Sequence, residues 1–390
     1  MISLQHQAPA ALPEAETCSF AFRGGSRTLV ARGPAARVAP GPAATLEARL
    51  AAAMARLPAG GVIGGALPFD RRADDCLWLA EAPGHSLPED GAAGPRRAAM
   101  ELRADPPPVS YARAVGDALA AMSGESELRK VVLARALSVQ SAEPFRLAGI
   151  LARLSEDPAV LAYQVAVPGR AGDPGPRHLI GATPELLLGK VRHRIQSHPL
   201  AGSARRQADP AADAAAAAAL AGSEKDRREH AIVVEYILDM LAPFCRTLGT
   251  PEGTRLTSTR SMWHLGTRIE GVLKEDGLPS AVLAAKLHPT PAVCGLPCNR
   301  AEELIRRLEP VPRDFYAGAV GWTDAHGDGA WHVAIRCAEI CGAEARLYAG
   351  AGIVPGSDPE AEVAETGAKF GALLAALGLS EAAALDARPE

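Results

Sequence analysis

The sequence predicts a mixed α+β fold built largely from antiparallel strands, and three observations carry that reading. Strand-like and helical patterns alternate irregularly along the 390 residues, with many short hairpin-like strands. No Gly-x-Gly-x-x-Gly fingerprint and no Walker A sequence marks a doubly wound nucleotide-binding sheet. Apolar residues make up 48% of the chain, enough for a sizeable core in one large or two to three ordinary domains.

The elements follow in order. Residues 1 to about 108 are rich in Ala, Gly and Pro, and the run from Gly61 to Phe69 reads as a strand. The prolines at 106, 107 and 108 mark a seam before the second portion. A helical pattern runs from 110 to about 123, followed by a strand over 130–139 with β-branched and apolar content. A helix near 145–154 and strands near 161–167 and 179–188 come next. The Ala-rich stretch 213–220 has helix punctuation, with Asp209 as N-cap and Pro210 in the first turn. Gly222 interrupts it, and Ser223 with Asp226 opens a second helix reaching about Leu241. Pro359 starts the last helix.

Composition excludes several functions. A net charge of −4 leaves no basic stripe for nucleic acid and no polybasic membrane anchor. The N-terminus lacks a basic n-region followed by an apolar h-region, and no apolar run approaches ~18 residues, so a cytoplasmic protein is expected. Seven cysteines argue against a disulfide framework. The pairs Cys294/Cys298 and Cys337/Cys341 could be read as four zinc thiolates. Neither has the compact Cys-x2-Cys spacing, and small buried hydrophobes are the preferred reading.

Charged residues set among apolar or glycine-rich stretches point to a site, because Lys and Glu are rarely buried unless paired or metal-bound. These are Lys130, Glu185, Asp226, Glu229, His230, Arg336, Glu362, Glu365 and Lys369. Burial disfavours a lysine's charge, so Lys130 is a candidate base. Desolvation of Glu185 would keep a proton available for donation. Asp226 with Glu229, and Glu362 with Glu365, share helical faces; either pair alone reads as a solvated face, but together they can clamp Mg²⁺. The segment 350–356, read as a glycine loop before a helix, could present N–H groups to a carboxylate, with Arg336 and Lys369 beside it. His264 and Tyr316 read as core residues. The residues alone reach a magnesium-dependent lyase or isomerase acting on a small carboxylate.

The chain also resembles the chorismate-utilising enzymes, a family of isochorismate, salicylate, anthranilate and aminodeoxychorismate synthases. The resemblance covers nearly the whole chain, most strongly from about 110 to 377. Its motifs are Lys130-Val-Val-Leu-Ala-Arg, Gly181-Ala-Thr-Pro-Glu-Leu, Pro199-Leu-Ala-Gly-Ser, Ser223-Glu-Lys-Asp-Arg-Arg-Glu-His, His264-Leu-Gly-Thr, Leu287-His-Pro-Thr-Pro-Ala and Tyr348-Ala-Gly-Ala-Gly-Ile-Val. It implies a layered α/β sandwich of large antiparallel sheets with flanking helices. Residues 1–108 would be an N-terminal portion of that fold and 109–378 the chorismate-binding catalytic domain.

The resemblance further implies that Lys130 deprotonates water for attack on C2 of chorismate while Glu185 protonates the departing C4 hydroxyl. Mg²⁺ would rest on Glu229 and Glu365, with Glu362 and Asp226 as outer or water-mediated ligands. Gly202, Ser203, His264, Ala292, Tyr316, Arg336, Gly350 and Lys369 would contact substrate. Aminating relatives lack a lysine at the Lys130 position and use a glutaminase partner, so none is expected here, and a monomer is. Ala201 stands where aminodeoxychorismate synthases carry a nucleophilic lysine. Leu287-His-Pro-Thr-Pro-Ala resembles isochorismate synthases, and Pro199-Leu-Ala-Gly-Ser-Ala-Arg-Arg resembles the siderophore-pathway (2,3-dihydroxybenzoate) branch. The remaining alternatives are a salicylate synthase, a menaquinone-pathway isochorismate synthase, or a catalytically silent binding homologue.

Overall fold

The computed structural model describes residues 18–25, 27–33, 35–88, 99–124 and 127–379. Two nine-stranded sheets and one three-stranded sheet carry the architecture, and every strand pair is antiparallel. In the first sheet the long strand Lys130–Ser141 pairs with Glu344–Ile353 and then leads across Cys337–Cys341, Arg177–Thr183 and Leu161–Val167. Its far edge is the hairpin Cys18–Gly24 and Arg27–Arg32. Val62–Leu67 and Cys76–Ala80 belong instead to the second sheet, so the first hundred residues build into both.

The two sheets bury a shared core. Along Leu161–Val167 the period-2 alternation sends Tyr163, Val165 and Val167 into the inter-sheet layer, where Phe20, Phe22, Ile63, Leu77 and Trp331 also lie. The opposite side chain Ala162 joins an outer layer with Leu137, Val139, Ile180 and Leu347. Helices Leu147–Leu154 and Pro359–Leu377 close that outer layer with Ile150, Leu151, Phe370, Leu373 and Leu374. Burying that much apolar surface, at roughly 25 cal/mol per Å², drives the layering. Among the described residues no helix is long and apolar enough to cross a membrane.

The helix signals hold at their caps. Asp209 accepts from Ala212 N–H at 2.8 Å and opens Pro210–Gly222; Ser223 accepts from Asp226 N–H at 3.2 Å and opens Glu224–Leu241. Asp358 does the same for Pro359–Leu377, accepting from Ala361 N–H at 2.8 Å.

Two expectations change. The single strand anticipated over 179–188 is two, Arg177–Thr183 in the first sheet and Leu186–Val191 in the second. Pro184 has no N–H to continue a ladder, so the chain leaves one sheet there and enters the other, with Glu185 at the crossing. The glycines at 350 and 352 are not in a loop. They lie in Glu344–Ile353, where Gly350 opposes Ala134 and Gly352 opposes Val132.

Candidate active site

Four elements deliver the charged groups. Lys130 is the first residue of Lys130–Ser141 and is fully buried. Glu185, also buried, occupies the crossing between the sheets, with its backbone oxygen held by Val333 N–H at 3.0 Å. Helix Glu224–Leu241 brings Asp226 and Glu229, and Pro359–Leu377 brings Glu362, Glu365 and Lys369 at helical spacing.

The small sheet supplies another wall. Strand Leu200–Arg205 breaks register at Gly202, whose φ of 73° lies in the left-handed region. A Cβ there would also come within 2.9 Å of Asp226 Cβ. The irregularity turns Ser203 toward Glu365, to whose Oε1 it donates at 2.8 Å. Paired with Ser203 across the sheet is His264.

These walls form a cleft lined by Glu185, Glu229, His264, Arg336, Glu365 and Lys369. Gly202, Ser203, Ala292, Tyr316 and Gly350 line it too, so the expected substrate-contacting residues converge. Lys130, Asp226 and Glu362 stand behind this surface. Glycine at 352 is what lets Glu229 and Lys130 approach, since a Cβ there would collide with Glu229 Oε1 and come within 3.0 Å of Lys130 Cε. Tyr316 stacks on Tyr348 at 4.8 Å between centroids, forming a flat aromatic wall.

Three of the carboxylates, Glu229, Glu362 and Glu365, each have a lysine beside them. Lys130 Nζ lies 2.9 Å from Glu229 Oε1, Lys225 Nζ donates to Glu362 Oε1 at 2.9 Å, and Lys369 Nζ lies 2.6 Å from Glu365 Oε1. The Lys130 contact is close but misaligned, so its Nζ is buried without a hydrogen-bond partner. Lys369 also donates to Gly350 O at 2.8 Å. Burial, and then the neighbouring Glu365 charge, push the Glu362 carboxyl up; Lys225 opposes this. For Glu365, burial is outweighed by Lys369 and Ser203, which hold its carboxyl below the usual value.

Glu185 is different. Burial pushes its carboxyl up to about 8 even though Lys130, the Leu200 N–H, Lys369 and Arg336 all favour the charged form. At neutral pH it therefore holds a proton it can give away. Burial, then Arg336 and Lys369, push His264 down to about 3 while the Gly202 backbone accepts from its ring, so the imidazole is neutral. Its Nε2 has no partner and remains an available acceptor. Arg336 sits just before Cys337–Cys341 with φ 51°, rather than inside a strand, and this strained backbone aims it at the cleft.

His230, flanking Glu229, is not part of the cleft. It is buried and pairs with Thr267 Oγ1 at 2.6 Å, which makes it a tie between helix and small sheet. The four-thiol zinc arrangement does not form either. Cys337 and Cys341 bond to Ala334 O and Gly175 O, and among the described residues only Cys294, Cys298 and Glu302 bring three possible ligand atoms within 4.8 Å. Lys225, Tyr348 and Gly352 were missed from sequence. Lys225 had a signal, since it interrupts the acidic run of the Ser223–His230 motif.

A protonated carboxyl, a buried lysine and a rim of cations over paired carboxylates define an enzyme of acid–base chemistry on an anionic substrate. The model of the family described as chorismate binding enzymes matches residues 82–378, and the chain belongs to that family. It is 41% identical over 370 residues to a Mycobacterium tuberculosis protein named "Putative isochorismate synthase MenF", covering 93% of this chain and 96% of that one. It is 40% identical over 347 residues to isochorismate synthase DhbC of Bacillus subtilis, covering 86% of each. A crystal structure from Bacillus anthracis, "putative 2,3-dihydroxybenzoate-specific isochorismate synthase, DhbC", superposes with a TM-score of 0.86 at 38% identity, over 93% of this chain and 97% of that one.

Proposed function

We propose that this protein is an isochorismate synthase, exchanging the C4 hydroxyl of chorismate for one from water at C2. The observation that carries this reading is Glu185, a carboxyl buried beside Lys130 in the cleft and held protonated to about pH 8. Lys130, acting as the neutral amine, takes the proton of the attacking water, and Glu185 gives its proton to the leaving hydroxyl, which departs as water. Water enters and water leaves, so the net change is an isomerisation with no redox cofactor. Arg336 and Lys369 bind the substrate carboxylates, and the neutral His264 accepts a hydrogen bond from a substrate hydroxyl. Ala201 lines the cleft where an amine nucleophile would be needed for ring amination.

The donors are all carboxylate oxygens, the type a hard divalent cation takes, and no three of them lie within 4.8 Å of one another. Glu229, Glu362 and Glu365 are buried or cleft-facing oxygens, each neutralised by an ammonium, and like charge helps to push Glu362 up. Mg²⁺ held by Glu229 and Glu365, with Asp226 and Glu362 behind, would anchor the ring carboxylate and offset negative charge there. The Bacillus anthracis structure named for 2,3-dihydroxybenzoate supports a product that enters siderophore assembly. The test is purified protein with chorismate and Mg²⁺, products resolved by chromatography with and without an isochorismatase. Isochorismate is expected; salicylate and pyruvate, or an aminated ring, would overturn the reading.

A further inference from the structure

We propose that Cys294 and Cys298 form a redox-sensitive dithiol, and that its closure into a disulfide displaces the backbone holding Lys130. Their sulfurs lie 3.3 Å apart, with Cys294 buried, Cys298 half-exposed and Cys298 Sγ 3.5 Å from Glu302 Oε1. The residues between them form the short strand Gly295–Leu296, which pairs with the start of Lys130–Ser141. Gly295 opposes Val131 and Leu296 opposes Lys130. Arg129 N–H donates to Leu296 O and Val132 N–H to Cys294 O, each at 2.8 Å, so the catalytic lysine is bracketed by this segment. A Cβ at Gly295 would strike Lys130 O, which shows how little slack exists.

A disulfide requires a sulfur separation of about 2.05 Å, so closure must draw the two sulfurs together by more than ~1 Å, and the taut segment between them transmits the shift. Ala292 and Val293, immediately before Cys294, line the cleft and would move with it. The other Cys-x3-Cys pair provides an internal control. Cys337 and Cys341 are both in one extended strand, which places them about 13 Å apart at ~3.3 Å per residue. Identical spacing in sequence therefore gives one pair that can close and one that cannot.

The oxidant is a hydroperoxide. The hydrogen bond shared with Cys298, and then burial, hold the Cys294 thiol protonated, so the half-exposed Cys298 meets the peroxide first. Its sulfur attacks the peroxide oxygen, giving a sulfenic acid and one molecule of water or alcohol. Cys294 then attacks that sulfur and expels water, so two thiols lose two electrons and two protons to the peroxide. Dithiothreitol reverses the reaction by thiol–disulfide exchange.

The test uses the full chain. The reduced protein is treated with hydrogen peroxide, mapped by peptide mass spectrometry, and assayed for chorismate turnover with Mg²⁺ before and after dithiothreitol. A linked Cys294–Cys298 peptide two hydrogens lighter is expected, together with a fall in turnover of roughly tenfold to a hundredfold that dithiothreitol restores. Cys298→Ser should keep basal turnover and ignore peroxide. Free thiols at both positions after treatment, a disulfide without loss of turnover, or a Cys298→Ser enzyme still inactivated would each overturn the proposal. So would protein that arrives with stoichiometric zinc on these thiols. The linkage readout is independent of the proposed function: inactivity of the reduced protein would sink the isochorismate reading, while the peptide map would still decide the dithiol.

Discussion

Lys130 and Lys190 are both fully buried lysines in apolar strands, and their surroundings differ in one respect. Lys190 reaches to the end of its sheet, where Nζ donates to Asp276 at 2.7 Å and to Asp328 at 3.1 Å. Asp328 also accepts from Arg192 N–H at 2.6 Å, so the lysine helps to fix a hairpin. Lys130 points inward, its Nζ has an ion pair with Glu229 among the described residues, and it makes no hydrogen bond. A satisfied buried charge holds a scaffold; an under-satisfied one costs stability that substrate or metal can offset.

The comparison breaks most visibly at the carboxylates. Chelation with EDTA should abolish turnover and Mg²⁺ should restore it, and Glu229→Gln and Glu365→Gln should each be inactive at any Mg²⁺ concentration. Full activity of rigorously metal-free protein would remove the metal from the account. Next comes Lys130→Ala, expected to fold normally and to lose about 10²–10⁴-fold in kcat, as general-base groups do. A rate within a few-fold of the parent would make Lys130 another Lys190.

Glu185 sharpens the account through pH. Turnover should fall as pH rises through about 8, where the carboxyl loses its proton, and Glu185→Gln should remain nearly inactive throughout. Stability carries the same signature. A carboxyl raised from 4.5 to about 8 on folding contributes stability that is full below 4.5 and is lost as pH rises through about 8. Denaturant titrations at several pH values should show that slope in the parent and not in Glu185→Gln; equal slopes would mean that Glu185 is ionised at neutral pH. The smallest catalytic effect belongs to Lys190→Met, which should lower stability by about 1–3 kcal/mol while leaving kcat/KM within a few-fold. A large catalytic loss there would erase the distinction between the two lysines.

Much of this was legible in local sequence. Asp209 and Ser223 cap their helices because a short polar side chain before an apolar period has few other uses there, and Pro359 marked the start of the last. Lys130, Glu185 and the two carboxylate pairs stood out as charges among apolar neighbours. What could not be read is set by long-range pairing. Pro184 marks a break, but only the sheets show that the chain changes layer there and leaves Glu185 between them. Gly350 and Gly352 looked like a loop because nothing local reveals that Lys130–Ser141 lies alongside. Lys190 gave the same sequence signal as Lys130, since Asp276 and Asp328 lie far along the chain.

The central claim is that Lys130 directs water to the ring while Glu185 releases the old hydroxyl. It is tested most directly by incubating the protein with chorismate and Mg²⁺ in ¹⁸O-labelled water and locating the label by mass spectrometry and NMR. The account predicts isochorismate carrying one solvent oxygen at C2, and no such product from Lys130→Ala. Isochorismate without solvent oxygen, or labelled product at parental rates from Lys130→Ala, would contradict it.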